Sequence, residues 1–223
     1  MRLISLLFHD IYDRDPAESG FRGPGANRYK LQVAAFDQQL AHVARARLDQ
    51  PVLLTTPFDE TGDAMPFALT FDDGGISHYT VAAGRLESRG WRGHFFVTTG
   101  MIGRRGFLDS RQIRELRSHG HVIGTHSMSH PGRFARSGWQ AMVHEWRESR
   151  KMLSDLLGEE IIIGCNGAVI FGGRHRLQAG FLHEGVEIGV IIGLRQFRWQ
   201  HRHRFEIGDA GALLGCENLL RLR

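Results

Sequence analysis

The apolar residues of this chain alternate between short continuous runs and longer stretches in which they recur every three or four positions. The run at residues 3–8 predicts a buried strand, and the helical spacing over residues 33–47 predicts an amphipathic helix. Pro51 ends that helix before a second apolar run at residues 52–54, which predicts another strand. A strand, a helix and a strand in succession are typical of a parallel sheet.

The same alternation continues through the middle of the chain. Apolar runs predict strands at residues 67–71, 94–98, 122–125 and 160–163. Helical spacing predicts helices at residues 80–89, 109–119 and 137–157. In the third helix the apolar residues form one predicted stripe: Trp139, Met142, Val143, Trp146, Leu153, Leu156 and Leu157. Periodicity is compatible with a doubly wound sheet or a (β/α) barrel, and both place functional residues at the carboxyl ends of the strands.

Composition restricts the class of protein. With 223 residues, 42% of them hydrophobic and 23% charged, the chain has the make-up of one folded domain rather than a disordered, collagen-like or disulfide-rich protein. The two cysteines, Cys165 and Cys216, form no close-spaced pair, and no signal cleavage site follows the first apolar run. These features predict a cytoplasmic protein with no membrane partner.

The charge of the chain adds little to this picture. The net charge is +4, and the basic residues, mostly arginines, are scattered. Only residues 195–205 combine clustered basic groups with aromatic side chains, a pattern compatible with a nucleic-acid-binding arm. Since no nucleic-acid-binding motif accompanies that cluster, we expect no nucleic-acid partner.

Two carboxylates follow the strand predicted at residues 67–71. Consecutive strand residues point to opposite faces, so Asp72 and Asp73 can converge on one site only if the chain bends. Gly74 and Gly75 would allow that bend. By itself, an Asp-Asp-Gly triplet is more often a turn or a helix cap.

Two histidines follow the strand predicted at residues 122–125. His126 and His130 are four residues apart, a spacing that can present two imidazoles to one metal ion. Pro131 disfavours helical geometry at His130 and therefore predicts an irregular turn. Taken alone, the pair is equally compatible with packed or surface histidines.

Together, the two signals predict a metal site. Both follow strands of one parallel sheet, so Asp73, His126 and His130 are expected at one rim. One carboxylate and two imidazoles suit Zn²⁺, Fe²⁺ or Co²⁺. His9 and Asp10, after the first strand, could line the same rim or be solvated in a loop. His94, His119 and His121 are more typical of packing or surface positions.

Three segments carry a resemblance to a known family. The segment Leu-Thr-Phe-Asp-Asp-Gly at residues 69–74, Phe-Phe-Val-Thr at 95–98 and the glycine- and histidine-containing segment 120–130 resemble the first motifs of the NodB-type polysaccharide deacetylases. The likeness spans about residues 66–163. It implies a distorted (β/α) barrel of about seven strands that removes acetyl groups from N- or O-acetylated sugars of a polysaccharide.

The resemblance also implies roles for individual residues. Asp72 would be the general base, and Asp73, His126 and His130 would bind a divalent metal, with Zn²⁺ expected first and Co²⁺ or another divalent ion as alternatives. The expected partner is an acetylated carbohydrate. The sequence does not indicate which residues bind the sugar.

The chain departs from the family after residue 163. The family's later Arg, Pro and aromatic motif is missing, as is the Leu-x-His of the last strand, whose histidine protonates the leaving group; Phe181-Leu182-His183 has a different spacing. We therefore expect one domain over residues 1–223, recognisable to about residue 163. Residues 164–223 are expected to be a glycine-rich, divergent or frame-shifted tail that leaves the barrel incomplete. His183 and His201 are candidates for the missing general acid. If neither donates the proton, the alternative function is that of a metal- and glycan-binding pseudoenzyme.

Overall fold

Eight strands close into a barrel in the computed structural model, which describes residues 2–46, 50–58, 66–132, 134, 137–166, 169–172, 175–183 and 186–192. The barrel strands are β1 (Arg2–Phe8), β4 (Phe67–Phe71), β5 (His94–Val97), β6 (Val122–Thr125), β7 (Ile163–Asn166), β8 (Val169–Gly172), β9 (His175–His183) and β10 (Val186–Ile192). Five of them run parallel, in the spatial order β1, β4, β5, β6, β7. The other three, β8, β9 and β10, are antiparallel and connect β7 back to β1.

The expected α/β architecture is confirmed for the parallel half of the barrel. Alternation of strand and helix continues to β7 and then stops, at the point where the sequence loses the family motifs. The antiparallel strands β8 to β10 take the place of the remaining strand-helix units. The (β/α) part of the barrel is therefore partial, as expected, but the sheet itself closes into a ring. Residues 193–223 lie outside the described residues, and so do the basic cluster at 195–205 and His201.

Residues 52–54 do not form the predicted strand. On one side of β4, β1 pairs with all five residues, and on the other side β5 pairs with Thr70 and Phe71. Leu54 N donates to the Nε2 atom of the His94 side chain at 2.9 Å instead of to a strand carbonyl. A single backbone bond, from Val52 N to Phe67 O at 2.8 Å, reaches this segment from β4. The side chains of Val52, Leu53 and Leu54 instead pack on the smaller core cluster, which includes Leu3, Ala68 and Phe96.

The larger core lies between the barrel and its helices. In β4, Phe67, Leu69 and Phe71 belong to this larger cluster, whereas Ala68 belongs to the smaller one. This alternation follows from the two-residue period of a strand. The helices are α1 (Pro24–Asn27), α2 (Val33–Ala46), α3 (Gly84–Glu87), α4 (Ser110–Ser118) and α5 (Trp139–Leu157).

The four predicted helices are present, and two of them begin differently from the prediction; α1 was not predicted. The helix predicted at residues 80–89 begins as a π-helix over His78–Ala83 and continues as α3. Helix α4 is confirmed, with Asp109 accepting a 2.8 Å bond from Gln112 N in a capping box. Helix α5 begins after Gly138 rather than Ser137. No helix within the described ranges is long and apolar enough to cross a membrane.

The predicted apolar stripe of α5 is only partly correct. Trp139 is 58% exposed, and the buried positions of the helix are Glu145, Ser149 and Leu153. Two of these three side chains are polar, and both have hydrogen-bond partners: Ser149 bonds Thr125 at the end of β6, and Glu145 bonds the loop that follows β6. Helix α5 therefore contacts the carboxyl end of the barrel through polar groups.

The segment between β1 and α2 forms one wall beside the carboxyl ends of the strands. It contains the parallel pair β2 (Ile11–Tyr12) and β3 (Leu31–Gln32). Lys30 is buried within it and donates hydrogen bonds to the carbonyls of Pro16, Ser19 and Phe21. Because one ammonium group binds three carbonyls, the loop has a defined shape.

Candidate active site

Asp72 and Asp73 begin where β4 ends, and the chain bends between them. Asp73 has φ of 79° and Gly74 has φ of 78°, so two consecutive residues adopt the left-handed conformation. A side chain at Gly74 would also meet the Cα of Val97 at 3.2 Å. The bend that the sequence analysis required is therefore present, and it turns both carboxylates towards the same rim.

The loop after β6 is an irregular turn, as Pro131 predicted. Ser127 and His130 have φ of 66° and 53°, values that only a few per cent of non-glycine residues adopt. The loop is fixed to the neighbouring segment by Thr99 N, which donates to Ser127 O at 3.2 Å, and Gly100 N, which donates to Met128 O at 2.7 Å. The turn brings both imidazoles to Asp73.

The distances between these groups fit one metal ion. Nε2 of His126 and Nε2 of His130 each lie 3.4 Å from Oδ1 of Asp73. Two ligands about 2.0–2.1 Å from a tetrahedral Zn²⁺ are about 3.3 Å apart. The chemistry of the donors and their spacing therefore both suit a divalent cation.

The charges of the site favour a cation as well. Burial opposes ionisation of Asp73, but the hydrogen bond and positive charge of His126, together with the charges of His9 and His130, hold the pKa of Asp73 below its usual range. Burial likewise opposes a charge on His126, yet Asp72 and Asp73 raise its pKa to about 9. A field that retains a proton on a buried imidazole also attracts a metal ion.

Asp72 is fully buried beside the proposed ligands. Burial, only partly offset by His126 and His9, raises the pKa of Asp72. The thiol of Cys165 donates to Oδ2 of Asp72 at 3.3 Å, and Nδ1 of His126 lies 3.8 Å from the same oxygen. No role was predicted for Cys165 from the sequence. Its position near the carboxyl end of β7, where functional residues are expected, could have indicated one.

His9 lies at the same rim. Strands β1 and β4 are parallel with Phe8 opposite Phe71, so the next residues, His9 and Asp72, are level with each other. The 2.9 Å bond from Asp72 N to Phe8 O continues this pairing. Leu7-Phe8-His9 therefore places a Leu-x-His at the carboxyl end of β1, with His9 directly after the strand. In the closed ring, β1 lies between β4 and β10.

Asp10 connects the loop that follows Asp72 and Asp73 to the wall formed by the segment between β1 and α2. Its Oδ1 accepts hydrogen bonds from Ser19 Oγ at 2.6 Å and Ser77 Oγ at 3.0 Å. A side chain at Gly75 would lie 1.7 Å from that oxygen, so the contact requires glycine there. Burial, followed by the charge of Asp73, raises the pKa of Asp10 to about 6.

This burial predicts a pH-dependent stability. The pKa of Asp10 is about 6 in the folded protein and 3.8 in its ordinary state, so its protonated form stabilises the fold below about pH 4. This contribution to the free energy of unfolding is lost as the pH rises through 6, and the loss is about 3 kcal/mol. Asp10→Asn should make the unfolding free energy less dependent on pH between 4 and 7. Urea titrations at several pH values measure the unfolding free energy, and Asp13→Asn, a change at an exposed residue, is the control. If the unfolding free energy of wild type and of Asp10→Asn changed equally with pH, the prediction would be contradicted.

The other histidines of the sequence analysis lie away from the site. His94 is buried, bonded to Leu69 O and Leu54 N, and its burial lowers its pKa to about 4. His119 and His121 both contact Glu87, at 3.0 and 3.1 Å. They hold packing and surface positions, as the sequence analysis expected.

Known proteins share this fold. Residues 59–163 match the family model described as Polysaccharide deacetylase. The deacetylase PplD of Streptococcus pyogenes, solved in complex with acetate, is 21% identical with a TM-score of 0.58 over 73% of this chain and 72% of its own. A de-N-acetylase of Aggregatibacter actinomycetemcomitans is 15% identical, with a TM-score of 0.57 over 72% of this chain and 77% of its own.

A third similar structure is the polysaccharide deacetylase BC0361 of Bacillus cereus. It is 19% identical, with a TM-score of 0.55 over 73% of this chain. The alignment covers 49% of the Bacillus protein, so this chain spans about half of that protein's length. No curated protein matches the chain.

Proposed function

We propose that this chain, whose residues 59–163 belong to the polysaccharide deacetylase family, is a metal-dependent hydrolase that removes acetyl groups from N- or O-acetylated sugars of a polysaccharide. One observation carries the proposal: Asp73, His126 and His130 lie together at metal-ligand spacing, next to a separate buried carboxylate, Asp72. A hydrolase of this type needs both an ion site and a base.

The ion is a divalent cation, with Zn²⁺ favoured by the mixed oxygen and nitrogen donors and Co²⁺ as an alternative. A bound cation would supply Lewis-acid chemistry, which activates water and polarises the acetyl carbonyl. Asp73, His126 and His130 would hold it. With three protein ligands, positions remain for water and substrate.

Asp72 is the base in this proposal. It accepts a proton from the attacking water as the new carbon–oxygen bond forms. Its burial makes it more basic than an exposed aspartate, and the Cys165 thiol fixes the orientation of its carboxylate.

His9 supplies the proton that the leaving group needs. As the bond from the acetyl carbon to the sugar nitrogen or oxygen breaks, the protonated imidazole donates to that atom and leaves acetate and the free amine or hydroxyl. Its position level with Asp72 in the β1–β4 register supports this role. His183, the other candidate, lies on β9, with the spacing of its motif different from that of the family.

Acetate release after metal removal and restoration tests the proposed function. The chain is stripped with a chelator, dialysed and assayed with N-acetylglucosamine oligomers and with an O-acetylated glycan. We expect acetate release only after Zn²⁺ or Co²⁺ is added back, because the ion activates the water. Stoichiometric metal with no acetate release from either substrate would favour the pseudoenzyme. The acetylated carbohydrate as partner and the cytoplasmic location remain predictions.

A further inference from the structure

One buried carboxylate near the site has no role in the mechanism above. Glu145 lies on α5 and is 8% exposed. Its Oε2 accepts hydrogen bonds from Met128 N at 2.9 Å and Ser129 N at 2.7 Å, and its Oε1 accepts one from Ser129 Oγ at 2.6 Å. Both of the residues it binds lie between His126 and His130.

The loop that Glu145 holds has an uncommon backbone. Ser127 and His130, on either side of the bound residues, both have positive φ. Such conformations persist where the surroundings fix them from several directions. The carbonyls of residues 127 and 128 are fixed by Thr99 N and Gly100 N, and the amides of residues 128 and 129 are fixed by Glu145.

We propose that Glu145 is a positioning residue for the metal centre: it holds the backbone between His126 and His130 so that both imidazoles face Asp73. The inference rests on the metal site of the proposed function. It also couples α5 to that site, because the helix contributes the group that shapes the ligand loop.

A carboxylate is needed for this role. It offers two acceptor oxygens to three donors, and bonds to a charged acceptor are stronger than bonds between neutral groups. The Glu145→Gln side chain can keep its oxygen on the two backbone N–H groups and donate its amino group to Ser129 Oγ, which can accept a hydrogen bond, so size and shape are retained. It loses the negative charge, and the bonds that remain are the weaker ones between neutral groups.

Metal affinity tests the proposal directly, without reliance on turnover. Zn²⁺ affinity is measured by competition with a chromophoric chelator, together with the rise in Tm on adding Zn²⁺, for wild type, Glu145→Gln, Ser129→Ala and Glu148→Gln. Glu148 is the matched control, since it carries the same change on the same helix and lies near Lys151. We expect Glu145→Gln to bind Zn²⁺ about 10- to 100-fold more weakly, in line with the loss of groups that orient ligands.

The other variants and wild type show which results support the role of Glu145 and which overturn it. Ser129→Ala, which removes only the hydroxyl bond, should weaken binding several-fold, and Glu148→Gln should match wild type. Wild-type affinity in Glu145→Gln would overturn the inference; if that variant does not fold, wild-type affinity in Ser129→Ala would overturn it. A wild type that binds no Zn²⁺ would overturn the metal site and this inference together, whereas binding without acetate release would overturn the activity alone.

Discussion

Asp73→Asn is expected to lose the metal ion, whereas the same change at Asp72 is expected to keep the ion and lower acetate release by at least about 100-fold. The reason is the position of the two carboxylates. Oδ1 of Asp73 is 3.4 Å from both imidazole nitrogens, and its replacement by a neutral amide removes the charged member of the proposed ligand set. Asp72 contacts the thiol of Cys165 and lies farther from the imidazoles.

Elemental analysis and single-turnover acetate release separate the two roles. Asp72→Asn should contain metal in the wild-type ratio and differ in rate, because an amide cannot accept the water proton. Asp73→Asn should contain little metal and should be partly restored at high Zn²⁺ concentration, because affinity is what it loses. Exposed Asp13→Asn controls for the change of charge. If Asp72→Asn loses metal and Asp73→Asn keeps it, the two roles are reversed.

Local rules identified most of the parallel half of the barrel. The Asp109 cap, the left-handed Gly158 after α5 and the apolar runs of β4, β5 and β6 each depend on neighbours a few residues away. The convergence of Asp73, His126 and His130 was also predictable. Parallel strands place their carboxyl ends at one rim, and the glycines after Asp73 allow the required bend.

Other features depend on contacts between distant parts of the chain. The strand expected at residues 52–54 is absent because Leu54 N bonds the His94 side chain and the apolar side chains of this segment pack on the smaller core cluster, which no local pattern reveals. The stripe on α5 was misjudged because Glu145 and Ser149 are polar yet buried against their partners. The antiparallel closure by β8 to β10 breaks the strand-helix alternation on which the sequence interpretation relied.

The position of His9 belongs to the same class of long-range information. In the sequence, His9 precedes Asp72 by more than sixty residues and ends a strand of its own. Only the register of β1 on β4 places His9 level with Asp72. We therefore propose the acid at the beginning of the chain rather than near its end.

His9→Ala should lower acetate release from N-acetylglucosamine oligomers by about 10²- to 10⁴-fold, the range for loss of a general acid. An amine leaves only with a proton, whereas a nitrophenolate leaves without one. The same variant should therefore hydrolyse p-nitrophenyl acetate at close to the wild-type rate, and its metal content should not change. Such a split between substrates depends on proton donation and would not follow from a merely structural role.

The comparison needs both substrates assayed on the same preparation, beside His42→Ala as control. His42 is exposed on α2, so its replacement should alter neither rate. Equal losses on the oligomers and on the aryl ester would show that His9 acts on the base or on the ion rather than on the leaving group. An unchanged rate on the oligomers would exclude His9 as the acid and leave His183 and His201 as the candidates.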